Sequence, residues 1–160
     1  MNIIILSLLA AVSALGAAPS SDQNPAGASA RINACTVLLP DVAATFATAT
    51  NTKVKSPPAE APVGVNGSSC DYGAIALHIN PFAVVSAERM RKSPQKDWVP
   101  VSGVGDAAYL HSVQDVLAEM LVWRGSHHFG ILVDVPAGST AEQIKPHIIQ
   151  VANQIIPRLK

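Results

Sequence analysis

The side chains best suited to chemistry in this sequence are its two cysteines and five histidines. Because the first residues indicate export, the even pair Cys35 and Cys70 predicts a disulfide. A bridge that closes a loop of this length stabilises a fold by about 3–4 kcal/mol. Two reduced, buried thiols are the alternative, and a zinc site is disfavoured because the cysteines have no histidines nearby.

The adjacent pair His127-His128 is the best candidate for metal binding, because imidazole is a common metal ligand. In a turn the two rings could share one ion, whereas on a strand they would point to opposite faces. We therefore predict metal ligands at His127 and His128, with a solvated hairpin tip as the plainer interpretation. A three-histidine site formed with His78 and His111 has no local spacing to favour it.

Few other residues indicate a function. The sequence contains no H-E-x-x-H, C-x-x-C or G-x-S-x-G motif, so we predict no catalytic residue and no cofactor. Trp98 lies in the proline-flanked loop 94–104, where we expect it to form the rim of a ligand-binding groove. Glu119 is a lone charge within an apolar strand, and we expect it at an edge or facing solvent. Asp106 follows two glycines and is expected to bond to backbone amides of its own turn.

The first residues predict an export signal. An uncharged apolar run covers 3–18, is shorter than a bilayer span of roughly 20 residues and ends in small residues. We assign 1–16 to a signal peptide, with an uncleaved anchor or a buried helix as the alternative. Residues 17–30 are small and polar and predict a flexible leader. The expected location is periplasmic or secreted, and no later apolar run is long enough to span a membrane.

The remaining 31–160 is short enough for one domain. Eleven basic and eleven acidic residues balance, which argues against a nucleic-acid partner. The one basic cluster contains Arg89, Arg91, Lys92 and Lys96. It favours a solvated helix face, with contact to anionic lipid or an acidic partner as the alternative.

Three segments predict helices. Pro40 and Asp41 suit the start of one over about 39–50, and a weaker pattern covers 82–93 with Phe82, Val85 or Ser86, and Met90 facing inward. The last helix is the clearest, because a capping box of Ser139 and Glu142 precedes an apolar stripe. Pro146 should kink that helix or delay its regular part. The stripe consists of Ile144, Ile148, Val151, Ile155 and Leu159.

The strand signals lie between these helices. Residues 56–69 are rich in Pro, Gly and Ser and predict a loop, whereas 70–80 alternates like a half-buried strand. Segments 106–111, 116–124 and 129–135 predict an antiparallel meander. The expected fold is α+β, an antiparallel sheet of about four to five strands carrying two or three helices and one disulfide.

The arrangement of some of these motifs resembles a known group of proteins. Cys35 opens a helix, Cys70-Asp71-Tyr72 opens a strand, and 103–109 (GVGDAAY) leads into the meander and last helix. This resembles small exported bacterial domains of uncharacterised function, found as actinobacterial lipoproteins and as the extracellular sensor domain of mycobacterial receptor kinases. The resemblance implies an α+β domain that senses or binds in the cell envelope. It supplies no catalytic residue.

These patterns favour an exported, non-catalytic binding or sensor-like module whose partner is an envelope protein or a small apolar ligand. Two alternatives remain open: a small secreted hydrolase or metal-dependent enzyme that uses the histidines, and a structural subunit of the envelope.

Overall fold

The computed structural model describes residues 31–64 and 66–160. The proposed signal peptide, 1–16, and leader, 17–30, lie outside them. In the described residues the helices are α1 (Ala34–Val37), α2 (Pro40–Thr50), α3 (Val84–Lys92) and α4 (Ala141–Ile155), followed by a 3₁₀ turn at Ile156–Arg158. The strands are β1 (Val54–Val63), β2 (Gly67–Gly73), β3 (Ile75–Ile79), β4 (Val99–Pro100), β5 (Ala107–Val113), β6 (Leu117–Arg124) and β7 (His127–Asp134).

The strands form one antiparallel sheet in the order β1-β2-β3-β7-β6-β5-β4. Two meanders, β1 to β3 and β4 to β7, join where β3 pairs with β7 in the middle of the sheet. Helix α3 lies between the meanders in the chain, and it connects the middle of the sheet to the far edge. The predicted α+β class and antiparallel sheet are confirmed, with seven strands and four α-helices in place of the smaller numbers expected.

Alternation along the strands gives the sheet two different faces. The inner face carries the main core, where aliphatic side chains such as Leu77, Met120 and Ile131 pack against α1, α2 and α4. The outer face carries the alternate residues, which include His78, Glu119 and His128. Helix α3 covers part of it, since the Tyr109 hydroxyl donates to the Arg91 carbonyl over 3.0 Å.

The disulfide is confirmed and ties α1 to β2. Cys35 and Cys70 are bonded, and the neighbouring Ser68 hydroxyl accepts the Ala34 amide hydrogen over 2.9 Å. Tyr72 also faces the core from β2 and donates its hydroxyl hydrogen to the Leu38 carbonyl over 3.2 Å. Burial raises the pKa of that phenol.

The last helix is present, but it begins one residue later than its predicted capping box. Thr140 and Gln143 form the box instead of Ser139 and Glu142, because the Thr140 side chain accepts from the Gln143 amide. The helix continues through Pro146 to Ile155. The apolar stripe from Ile144 to Ile155 is buried as predicted, whereas Leu159 lies beyond the helix and is partly buried.

The predicted loop at 56–69 is wrong, because most of it belongs to β1 and β2. Prolines 57, 58 and 62 suggested a loop, but β1 is an edge strand, where a residue without an amide hydrogen is tolerated. The predicted strand at 70–80 is two strands, β2 and β3. Gly73 has a φ of +85° and reverses the chain between them.

The inward face predicted for the 82–93 helix is also wrong in part. Phe82 and Val85 are exposed, and the side chain that α3 buries against the sheet is Ala87. Met90, which was also predicted to face inward, is partly buried. In the described residues, no helix is long and apolar enough to cross a bilayer.

Candidate functional site

Helix α3 leaves part of the outer face of the sheet uncovered, and a shallow groove runs across that part. We call it the groove; its volume is about 340 Å³. Its floor is formed by small side chains on β1 and β3, Ala59, Ala61 and Ala76, while Leu117 and Leu132 supply larger apolar surface. Small residues bring a ligand close to the backbone, so this surface suits a flat or extended apolar group.

Polar side chains from β2, β3 and β7 also line the groove. They are Ser69, Asp71, His78 and Asp134. On β2, alternation sends Cys70 and Tyr72 into the core and Ser69 and Asp71 to the outer face. Burial lowers the pKa of His78, and the nearby Asp71 carboxylate partly opposes that shift. The ring therefore favours its neutral form, which both donates and accepts a hydrogen bond.

Glu119 lies on the outer face beside the groove, half-buried rather than at an edge or facing solvent as expected. A Cβ placed on Gly130 would lie only 3.1 Å from the Glu119 Oε1, so the carboxyl group occupies the space that this glycine leaves. Burial raises the pKa of Glu119, and His111 on the adjacent strand opposes the shift. None of the described residues forms a hydrogen bond with the Glu119 carboxyl group or with the His78 ring.

Three groove residues have the side-chain types of a serine-hydrolase triad. Ser69 lies directly opposite His78 in the β2–β3 register, and Asp71 is two residues along β2. The hydrogen bonds of Ser69 and Asp71, however, do not connect the three side chains to one another. The Ser69 hydroxyl donates to the Ala61 carbonyl over 3.3 Å, and the Asp71 carboxylate accepts from the Gly73 amide over 2.6 Å. This grouping was not predicted from the sequence. Because 56–69 was predicted to be a loop, no pairing of β2 with β3 was expected.

The predicted metal ligands His127 and His128 both lie on β7 and therefore point to opposite faces. His128 is only 5% exposed, and its Nε2 accepts the Phe82 amide hydrogen over 3.2 Å. The Asn80 carboxamide accepts from the His128 amide and lies 3.5 Å from the His127 Nδ1. This arrangement fixes the start of α3 against the sheet. The bond from the Phe82 amide also engages the His128 Nε2, a nitrogen that would have to be free to bind a metal.

The other histidines do not complete a metal site. His78, His111 and His128 share the outer face but stand on separate strands, β3, β5 and β7. Across residues 31–64 and 66–160, no group of three or more His, Cys, Asp or Glu side chains could hold a metal ion. The metal-binding prediction gains no support from this geometry and stays a prediction.

Trp98 stands beyond the groove rather than lining it. Its ring stacks on His111 with centroids 5.0 Å apart, and the His111 Nε2 lies 2.8 Å from an Asp97 carboxylate oxygen. His111 is in turn the cross-strand neighbour of Glu119. Trp98 thus supports the β5 side of the uncovered face, and its role in ligand binding stays a prediction.

Asp106 does hold a turn, but it is the β6–β7 turn and not its own as predicted. Its carboxylate accepts from the Gly125 amide in the turn over 2.7 Å and from the Arg124 guanidinium at the end of β6 over 3.0 Å. These bonds lower the pKa of Asp106. Gly105 allows the approach, because a Cβ there would lie 2.4 Å from the Trp123 carbonyl oxygen.

Comparisons of the chain with protein-family models, with curated proteins and with solved structures found no match.

Proposed function

We propose that this chain is an exported, non-catalytic binding module of the cell envelope that holds a small apolar ligand in the groove. One observation carries the proposal: α3 covers only part of the outer face, and the rest is a groove with a floor of small side chains. Exposed apolar surface with a polar rim is typical of an interaction site. The resemblance to exported sensor domains points to the same class of role.

The polar groups beside the floor of the groove support specific recognition of a ligand. His78 and Glu119 are both half-buried, and neither spends its hydrogen-bonding capacity on another described residue. Both groups therefore keep hydrogen-bonding capacity that a ligand can use. We infer that the ligand has an apolar body and at least one polar group that bonds to His78 or Glu119. The volume is near the lower end of known ligand pockets, roughly 300–1,000 Å³.

Blocking the groove tests this proposal. Ala59→Trp adds a large ring on the exposed edge strand without disturbing the core, and Ala49→Trp adds the same ring on the exposed side of α2 as a control. The uncharged fluorescent probe N-phenyl-1-naphthylamine should bind the unmodified chain. We expect Ala59→Trp to weaken that binding at least tenfold and Ala49→Trp to leave it unchanged. Equal affinities for all three proteins would contradict the proposal.

Native mass spectrometry of the protein isolated from its own cell supplies the natural ligand. We expect excess mass that disappears on denaturation and is reduced in the Ala59→Trp protein. A metal mass lost on mutating His127 and His128 would favour the metal-dependent enzyme. A bare monomer that also fails to bind the probe would favour the structural subunit. An envelope protein that stays bound in the spectrum would show that the partner is a protein and not a small apolar ligand.

A secreted hydrolase is the second candidate, because Ser69, Asp71 and His78 share the groove. Two features favour binding over this reaction. The Ser69 and Asp71 side chains are bonded to backbone groups, and the strands that carry all three residues lie inside the sheet, where amides pair with neighbouring strands. Such amides are not free to stabilise an oxyanion.

A fluorophosphonate probe and p-nitrophenyl butyrate separate the two candidates. The binding module should show neither labelling of Ser69 nor ester hydrolysis above the rate of its Ser69→Ala variant. Labelling that requires both Ser69 and His78 would establish the hydrolase instead.

A further inference from the structure

The start of α3 carries two exposed apolar side chains, Val84 and Val85, each of which is 73% exposed. Phe82, just before the helix, is 38% exposed, and its ring stacks on the His128 imidazole with centroids 6.0 Å apart, so it faces the sheet. Ala87 is the residue of α3 that faces the sheet. At 100° per residue Val85 points almost directly away from Ala87, whereas Val84 lies about 60° from it at the first position of the helix. Exposed apolar side chains that are adjacent rather than scattered singly are typical of an interaction site.

Basic side chains continue the same side of the helix. Arg89 and Lys92 follow Val85 at spacings of four and three, which places all three on one helical face, and Lys96 follows the helix. The nearby carboxylates are engaged elsewhere, since Glu88 pairs with Arg91 and Asp97 with His111. Among the described residues, no ion pair includes Arg89, Lys92 or Lys96. The outward face therefore combines exposed apolar surface with uncompensated positive charge.

We propose that this outward face of α3 docks the protein on an anionic lipid bilayer. Val85 and the adjacent Val84 would enter the headgroup boundary, while Arg89, Lys92 and Lys96 contact lipid phosphates. The seven steps from Val85 to Lys92 span about 10 Å along the helix axis, so the apolar and basic side chains are close enough to contact the same bilayer surface. An acidic protein would satisfy the cations but would leave the valines without a role.

The helix is also held in a fixed orientation, as a docking surface requires. Its start is fixed by the bond from the Phe82 amide to His128, and its end by the bond from Tyr109 to the Arg91 carbonyl. Since α3 and the groove share the outer face, the groove would open toward the bilayer. The docking proposal does not depend on a ligand in the groove.

Sedimentation with vesicles tests the proposal, using the protein as its own cell exports it. We expect binding to vesicles containing phosphatidylglycerol and little binding to pure phosphatidylcholine, since each basic residue near an anionic surface contributes about fivefold in affinity. Val84→Ser with Val85→Ser, and separately Arg89→Glu with Lys92→Glu, should each weaken binding roughly tenfold or more. Circular dichroism verifies the fold of each variant.

Matched controls use the same substitutions elsewhere. Val116→Ser changes a valine of the β5–β6 turn that is 66% exposed, and Lys53→Glu with Lys55→Glu reverses two exposed lysines before and within β1. These variants should bind as the parent does. Any retained apolar signal segment would contribute equally to every variant, so the differences between variants report on α3. Failure to bind anionic vesicles, or binding that the α3 substitutions leave unchanged, would overturn the proposal. So would a loss on charge reversal alone, because the valines would then take no part in the contact with the bilayer.

Discussion

The His128 imidazole must stay neutral to keep its place, because its Nε2 accepts the amide hydrogen of Phe82. Burial lowers the pKa of this ring below the value of about 6.5 that it has in the unfolded chain. Below pH 6.5 the unfolded chain takes up a proton that the folded chain resists. The stability that depends on neutral His128 is thus complete above pH 6.5 and is lost progressively as the pH falls toward the folded pKa.

We therefore predict that the urea midpoint decreases as the pH is lowered from 7.5 to 5.5. His128→Gln should have a lower midpoint throughout but a smaller pH slope over this range. His78 contributes a pH dependence of the same sign, because burial lowers its pKa as well. A slope that is unchanged in both the His128→Gln and His78→Gln variants would show that these rings do not cause it.

The contribution of Glu119 to the pH dependence of stability has the opposite sign. Its pKa is raised by burial, so the folded state favours the protonated carboxyl group. The corresponding stability is present below about pH 4.5 and is lost as the pH rises through the folded pKa. We predict that Glu119→Gln and the parent have similar urea midpoints near pH 4, and that the variant becomes the more stable one by pH 7. A variant that is less stable at pH 7 would show that a partner compensates the charge.

At the scale of single residues, the sequence predicted the disulfide because export was expected and two cysteines leave only one pairing. The groove residues were not predictable. Ser69 and Asp71 become neighbours of His78 only through the β2–β3 register, which no local pattern reports. The sequence also could not show that His128 is buried, since a turn and a strand start are equally compatible with two adjacent histidines.

Among the elements, α4 was the most predictable because it carries a long apolar stripe at helical spacing. The edge strand β1 was not, because its prolines are typical of loops and only its position at the margin of the sheet makes them acceptable. Helix α3 was predicted in place but with a partly wrong orientation. The expected inward residues were Phe82, Val85 or Ser86, and Met90, whereas the buried residue of the helix is Ala87.

Pro146 provides a prediction at this scale. It lies inside α4, where it cannot donate a hydrogen bond to the Glu142 carbonyl and where its ring disfavours regular geometry. We expect Pro146→Ala to raise the free energy of unfolding by about 1–3 kcal/mol, because alanine restores the bond and the helix propensity. Urea denaturation measures this change. No gain would mean that the rigidity of proline in the unfolded chain offsets the helical cost.

For the whole molecule, the disulfide joins the N-terminal helices to the sheet. The Cys35→Ser, Cys70→Ser double variant should lose about 3–4 kcal/mol of unfolding free energy, since a 35-residue separation is released in the unfolded state. The same loss should follow reduction of the parent with dithiothreitol. Probe binding in the groove should survive at 25 °C while the variant is folded, because the bridge lies on the inner face. Loss of probe binding in a variant shown to be folded would contradict this separation of faces.

The joining of two meanders at β3 and β7 has a further consequence for an interrupted chain. The exposed segment between α3 and β4 is the point where the backbone passes from one meander to the other. A protease cut there would leave two fragments, each with an apolar central strand whose partner is on the other fragment. The fragments should remain associated after the cut and reassemble when mixed, as the two parts of a split protein do.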